Sequence, residues 1–398
     1  MPNSTTKATR QKPAKPKDSP LFPHASGRWA KKIRGHFHYF GPWEDYDAAL
    51  LKWLDEKDDL LAGREPRAKT VGLSILDLVN RFLTAKEIAL KDGELADRTF
   101  QGYHRACDRV LKVLGKHRLV DDLASKDFEA LRVVLSKTMG HSARMVEIQK
   151  TRTLFKYAYD DGLIDKPVRF GLAFKGASKK TLQKDMPGKK EARKLEAEQI
   201  RAMMDGAGVY LRAMILLGIN CGFGNYDCAT LTFKALDLEG GWVDHPRPKT
   251  GVERRAKLWP ETVAALREAI AQRREPKSPN DVALVFITTT GRPWVRMVKP
   301  GNPESGWTDS ITCLARLLMR KLGINHGASF YSLRRMTETV GGGCKDQVAV
   351  DAVMGHSRGD MASVYRLEID DERLEAVADH IHGWLFPTSQ VAAEEGTK

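Results

Sequence analysis

The carboxy-terminal half of the chain holds a few residues whose types suit chemistry on a phosphodiester. The stretch SLRR carries Arg334. VMGHSRGDMASVYR carries Gly355 and His356, with Tyr365 nine positions after the histidine, and RPKTG carries Lys249. A phosphodiester resists attack because its oxygens are already negative. A guanidinium can give two parallel hydrogen bonds to the nonbridging oxygens and stabilise the charge that builds in a pentavalent state. A phenol hydroxyl can replace water as nucleophile and keep the phosphate covalently held, so the bond energy is not lost to hydrolysis. A lysine ammonium can protonate a leaving oxygen. None of these steps needs a metal or a cofactor, and neither is expected. The five cysteines, Cys107, Cys221, Cys228, Cys313 and Cys344, are odd in number, scattered, and form no C-x-x-C pair. They suggest a reducing compartment and no structural zinc.

The order and spacing of these segments resemble the tyrosine recombinase, or phage integrase, family. That family carries an arginine after a histidine-bearing tripeptide, a Leu-Gly-His followed by its tyrosine, and a lysine on a hairpin. Arg334, His356, Tyr365 and Lys249 match those positions, and Tyr331 stands where the family usually has histidine. The resemblance implies that Tyr365 is the nucleophile of a 3′-phosphotyrosine link and that Arg334 binds the phosphate. It further implies that Lys249 is the acid for the 5′ oxygen and that His356 and Tyr331 complete the site. Each residue also has a plainer reading. Tyr365 fits the core of a helix, Arg334 a structural ion pair, Lys249 an ordinary hairpin tip with Lys257 close by, and His356 a cap or packing contact.

Two positions depart from the family: Tyr331, the milder change because a tyrosine can still donate a hydrogen bond, and the first arginine position of the family. The family's T-G-x-R-x-x-E segment aligns with CGFGNYDCATL, where Cys221 and Gly222 fill the small pair. Gly224 replaces the arginine and Asp227 takes the acidic place. Losing one preorganised donor of this kind costs on the order of 10²–10³ in rate. Either another cation has taken over, with Arg247, Arg254, Arg255 and Arg335 as candidates, or the protein binds DNA without cutting it. The preferred reading is a DNA-binding recombinase that cleaves and rejoins strands, as in DNA integration or other rearrangement of a mobile element. The alternatives are a catalytically impaired DNA-binding descendant and a type IB topoisomerase, which nicks and reseals one strand as a monomer. The helical bundle and arm-like module described next argue against the last.

The elements that must position these residues read as mainly α with small β elements. Residues 1–24, with Lys7, Arg10, Lys12, Lys15 and Lys17 among prolines, read as a disordered basic tail. Residues 25–65 read as a small sheet plus helix resembling the arm-type DNA-binding modules of integrases. There Arg28, Lys31, Lys32 and Arg34 interleave with aromatics, and an amphipathic helix covers 46–58. Residues 71–180 show four helical patterns and resemble the family's core-binding bundle. Ser125 is expected to cap the third helix, and Lys150, Arg152 and Lys156 fall on the fourth. Basic residues there indicate a solvated face or a DNA contact. Residues 181–195 read as a basic linker, 196–386 as a mixed α+β catalytic domain, and 387–398 as a tail. Within the catalytic domain Trp242–Val243 and Ala256–Trp259 flank a hairpin, and Leu284–Phe286 is a short apolar run.

Sixty-five basic against 51 acidic residues give a net charge of +14 over 398 residues, which points to a polyanionic partner. Double-stranded DNA is the expected one, bound through phosphates and therefore salt-sensitive. The resemblance implies a homo-oligomer, a tetramer, on DNA. In the family a last helix docks on the neighbouring subunit. The apolar set Leu374, Val377, Ile381, Trp384, Leu385 and Phe386 could do the same or pack on its own domain. No apolar run is long enough to cross a membrane, so a cytoplasmic, nucleoid-associated protein is expected.

Overall fold

A computed structural model describes residues 12–63, 72–184, 193–299, 302, 305–324, 327–357, 361, 365 and 368–387. The chain divides into two compact units, Met1–Asp185 and Met186–Lys398. Residues 1–11 of the expected leading tail, 185–192 of the expected linker and 388–398 of the expected final tail lie outside the described residues.

Unit 1 begins with an antiparallel sheet in the order β1-β2-β3, formed by Phe22–His24, Arg28–Ile33 and His36–Pro42. Helix α1, Tyr46–Leu61, covers one face, its first turn capped by the Asp45 carboxylate, which accepts from the Ala48 amide. Leu21, Trp29, Ile33, Phe40, Ala49, Trp53 and Leu60 form the core between them. The expected tail is therefore too long. Leu21 is fully buried and Phe22–His24 pairs with β2, because the small sheet gains an apolar seal at its edge. The helical part follows as α2 (Ile75–Lys91), α3 (Asp97–Leu114), α4 (Ser125–Thr138) and α5 (His141–Asp160). Its core is rich in aromatics, with Phe128 and Phe155 edge to face at 5.4 Å. Ser125 is not the cap of α4 but its first residue. The Asp127 carboxylate takes the Ala124 amide instead, and is itself clamped by both Arg118 Nη atoms at 2.7 Å. A short helix α6, Lys179–Lys184, runs into the stretch expected to be linker.

Unit 2 is built around α8, Val209–Asn220, which is apolar all round and buried along nearly its whole length. Helices α7 (Ala197–Gly206), α10 (Pro260–Ala271), α11 (Ser310–Lys321) and α12 (Tyr331–Gly341) pack on it. Between them lie α9 (Asn225–Thr230) and the antiparallel sheet β4-β5-β6, formed by Leu236–Asp237, Trp242–Asp244 and Arg255–Lys257. A hairpin β7-β8 (Val295–Met297 with Trp307–Asp309) follows, a pairing with no clear mark in the sequence. Leu284 makes only an isolated bridge to Thr232, so the apolar run there is a buried connection, not a strand. Arg334 lies inside α12, whose first residue is Tyr331. Helices α13 (Gln347–Met354) and α14 (Asp371–Leu385) complete the unit.

Helix α14 packs on its own unit. Leu374, Val377, Ala378, Ile381 and Leu385 are buried, the Trp259 indole donates to the Ala378 carbonyl at 3.0 Å, and Arg255 grips Asp371 at 2.7 and 2.9 Å. The joint between α8, β6 and α10 rests on the buried amide of Asn220. It donates to the Lys257 carbonyl at 2.9 Å and accepts from the Trp259 amide and the Thr262 hydroxyl, both at 2.9 Å. Replacing it strands three polar partners away from water. Asn220→Ala is expected to lower stability by about 2–4 kcal/mol in urea denaturation of the full chain. A loss under about 0.5 kcal/mol, the size of an ordinary surface change, would show that the joint is held by other contacts.

Candidate active site

Two left-handed glycines frame the site. After α8 the chain turns at Gly222 (φ 63), where a Cβ would sit 2.5 Å from the Met354 sulfur. After α13 it turns at Gly355 (φ 61), where a Cβ would sit 3.2 Å from that of Arg247. Only glycine takes both the backbone angle and the crowding. These turns aim two carbonyls at one group. Arg334, 2% exposed, donates from Nη1 to the Gly222 oxygen and from Nη2 to the Met354 oxygen, each at 2.6 Å. Its Nη2 also lies 3.0 Å from His356 Nε2. Three of its five N–H groups are thus engaged, which fixes the plane of the guanidinium. The other two are left for Tyr331, close enough to hydrogen-bond, and for a ligand. Burial, and then Arg247, push the Arg334 pKa below the usual arginine value, while Tyr331 and Asp227 oppose them.

His356 is set from both sides. A guanidinium only donates, so Nε2 is the acceptor and the neutral ring carries its proton on Nδ1. Nδ1 faces Glu338 Oε2 at 3.5 Å and Asp351 Oδ1 at 3.6 Å. These three residues bring ligand-type atoms within 4.8 Å of one another. With Nε2 taken by Arg334, the cluster is better suited to hold the ring's proton than a metal ion.

Beside Arg334 sits a second buried cation. Arg254, 3% exposed, enters just before β6. Its Nε donates to the His245 carbonyl at 3.0 Å, its Nη2 meets Asp227 Oδ1 at 3.2 Å, and its guanidinium carbon lies 3.9 Å from the centre of the Phe223 ring. Among the described residues its Nη1 is buried with no hydrogen-bond partner. Burial lowers the Arg254 pKa, Asp227 raises it, and Arg334 lowers it. Asp227 also accepts the Gly224 amide at 2.6 Å through Oδ2. So Gly224 and Asp227, which take the arginine and acidic places of the expected segment, stand at the edge of the Arg334 pocket. Of the other candidate cations, Arg255 is committed to Asp244 and Asp371, and Arg335 lies exposed over the Tyr331 ring. Arg247 lies beside Gly355 and is half-buried.

The site is open to solvent. A cavity of about 700 Å³ has Asp244, Arg254, Arg255, Asp351 and His356 among its lining. Lys249 is exposed in the turn between β5 and β6, whose neck is closed by the Arg247 amide on the Val252 carbonyl at 2.8 Å. Tyr365 is 77% exposed and Tyr331 is 40% exposed. Among the described residues no hydrogen bond or ion pair joins Lys249 or Tyr365 to the Arg334 group. The structure thus brings Arg334, His356, Tyr331, Gly224 and Asp227 together, and leaves Lys249 and Tyr365 unattached. Phe223, His245, Glu338 and Asp351 were not expected there.

The basic residues singled out in unit 1 divide. Arg28 and Lys32 are exposed on the sheet, and Arg34 is exposed in its turn. Lys31 turns to α1 and lies 4.2 Å over the Trp53 ring. On α5, Lys156 is exposed and pairs with Asp160, and Lys150 packs against Gly102. Arg152 donates to the Phe174 carbonyl at 2.8 Å and stacks on Phe170 at 4.7 Å, so it holds the segment after α5 and is not free for a ligand.

His245 is the site's pH-sensitive element. Its ring lies 5.5 Å from the Phe223 ring, and burial, then Arg254, lower its pKa from 6.5 to about 4. The folded chain therefore binds this proton less readily than the unfolded chain. The stability contribution is complete above pH 6.5 and is lost as pH falls toward 4. His245→Phe is expected to flatten the melting temperature between pH 6.5 and 4 relative to the parent chain. Parallel curves for the two proteins would mean that His245 does not titrate there.

No protein-family model and no curated protein matches the chain. Solved structures do. A lambda integrase tetramer bound to a Holliday junction aligns with 90% of this chain and 99% of its own, at 15% identity and a TM-score of 0.53. A lambda integrase dimer bound to a COC′ core site aligns with 90% of this chain and 98% of its own, at 15% identity and a TM-score of 0.51. The Tn1549 transposon integrase in complex with transposon right end DNA aligns with 78% of this chain and 100% of its own, at 16% identity and a TM-score of 0.53. The chain has the fold of these integrases.

Proposed function

We propose that the protein binds duplex DNA and cleaves and rejoins its strands through a covalent 3′-phosphotyrosine at Tyr365. The observation that carries this reading is the buried Arg334, held flat by two carbonyls and by His356, in the same unit that exposes Tyr365 nine positions after that histidine. A fixed guanidinium with N–H groups to spare suits a phosphate, whose charge then grows in the transition state. The Tyr365 oxygen bonds to phosphorus and its proton leaves to solvent. The bond from phosphorus to the 5′ oxygen breaks, and Lys249, on its exposed turn, gives that oxygen a proton. Rejoining is the reverse, with a 5′ hydroxyl attacking the phosphotyrosine and tyrosine leaving. His356 and Tyr331 orient Arg334 and the phosphate.

The integrase fold supports the same reading, since the neighbouring structures hold DNA and two of them are a dimer and a tetramer. We assign the net charge of +14 to phosphate neutralisation and a homo-oligomer to the DNA-bound state. Arg28, Lys32 and Arg34 of the sheet, with Lys156 of α5, are the unit 1 residues best exposed to meet DNA. A second reading, binding without cleavage, is favoured by Gly224 alone. The two separate on a nicked suicide duplex. Tyr365→Phe is expected to keep DNA affinity and to abolish covalent adducts. Adducts persisting in that variant would move the nucleophile elsewhere.

A further inference from the structure

We propose that Arg254 is a catalytic residue that replaces the missing arginine, donating from its Nη1 to a nonbridging oxygen of the phosphate that Arg334 holds. The inference rests on the strand-cleavage reading and deepens it. Its first ground is the orphan donor. Buried N–H groups are almost always partnered, and one left over calls for a ligand that the free chain lacks. Arg254 has an Nη1 of this kind, while its Nε and Nη2 each have a partner. The group is therefore rigidly held with one end unsatisfied.

Charge is the second ground. Arg254 and Arg334 are both nearly fully buried, and Arg254 feels the charge of Arg334. Asp227 is the carboxylate between them, and one of its oxygens already takes the Gly224 amide. Arg247 adds further positive charge beside Arg334. A surplus of buried cations is costly unless an anion joins them. A phosphodiester supplies that anion at the point where the reaction needs it.

The third ground is space. A Cβ at position 224 would lie 3.0 Å from Asp227 Oδ2 and 3.5 Å from the Tyr331 ring. A side chain there would press on the carboxylate that anchors Arg254. An arginine at 224 and the Asp227–Arg254 pair are competing arrangements, and this chain has adopted the second. Of the other candidates, Arg255 is tied to Asp244 and Asp371, Arg335 lies exposed on a ring face, and Arg247 is half-buried and adds its charge beside Arg334 without the buried, anchored geometry of Arg254.

The test uses the full chain and duplexes recovered from a random-sequence pool by binding to it, synthesised with a nick so that an adduct is trapped. Arg254→Gln is expected to slow adduct formation by about 10²–10³-fold. Most of that loss should be recovered when the cleaved phosphate is a methylphosphonate, which has one negative oxygen fewer to stabilise. Arg254→Lys, which keeps the charge, should fall between. Equal slowing on both duplexes would make Arg254 a packing residue and overturn the assignment, as would an unchanged rate. Inorganic phosphate gives a readout independent of cleavage. At matched ionic strength it should raise the melting temperature of the parent chain more than that of Arg254→Gln, and equal shifts would overturn the assignment. If no duplex yields an adduct, the strand-cleavage reading fails, and the phosphate comparison still decides whether Arg254 is an oxyanion donor.

Discussion

The burial of the Arg334 guanidinium is the constraint around which unit 2 is arranged. A charged group at 2% exposure is tolerable only if its N–H groups are met, and here two backbone carbonyls and a histidine meet them. The carbonyls come from opposite sides, one from the turn after α8 and one from the end of α13. Each is presented by a chain reversal that requires glycine, at Gly222 and Gly355. The arginine therefore ties three helices at one point and fixes where His356 emerges. The Thr337 hydroxyl, one turn along α12 from Arg334, has its single proton within reach of the Gly218 and Ile219 carbonyls at the end of α8 and strengthens the same junction.

The segment bearing Tyr365 starts and ends at fixed points. Before it, His356 is held by Arg334 and its amide donates to the Asp351 carbonyl at 2.8 Å. After it, Asp371 at the start of α14 is gripped by Arg255, Lys257 reaches Glu375, and Arg373 meets Asp346. The strand that carries Arg255 and Lys257 is the one Arg254 leads into. That short strand and the residue leading into it thus contribute a cation to the pocket and two more to the helix beyond the tyrosine. Movement of α14 would be felt at both places.

Much of the helical fold could be read from apolar periodicity, because α2, α3, α5 and α8 each bury a long stripe or a whole surface. Short elements were harder. Phe22–His24 looks like tail, and gains its strand only by pairing with β2. The α4 cap depends on Arg118 reaching Asp127, a contact between residues 9 apart that periodicity does not register. In the site, Arg334 and His356, which the structure joins, could be picked out by their spacing, whereas Tyr365, expected with them, stands exposed and unattached to them. Arg254 could be named only as one of four cations, since its choice depends on the hairpin delivering it to Asp227 and Phe223. Likewise a run of basic residues does not reveal which are internal. Lys31 goes to Trp53 and Arg152 to Phe174, where the folded chain needs them.

The buried arginine site is expected to work with the exposed tyrosine nine positions beyond its histidine. The most direct measurement is to trap the full chain on a nicked duplex that it binds, digest the protein, and locate the attached nucleotide by mass spectrometry. The expected result is a 3′-phosphoryl nucleotide on the peptide containing Tyr365. A nucleotide on any other residue, Tyr331 above all, or no attachment to duplexes that the chain binds tightly, would contradict it.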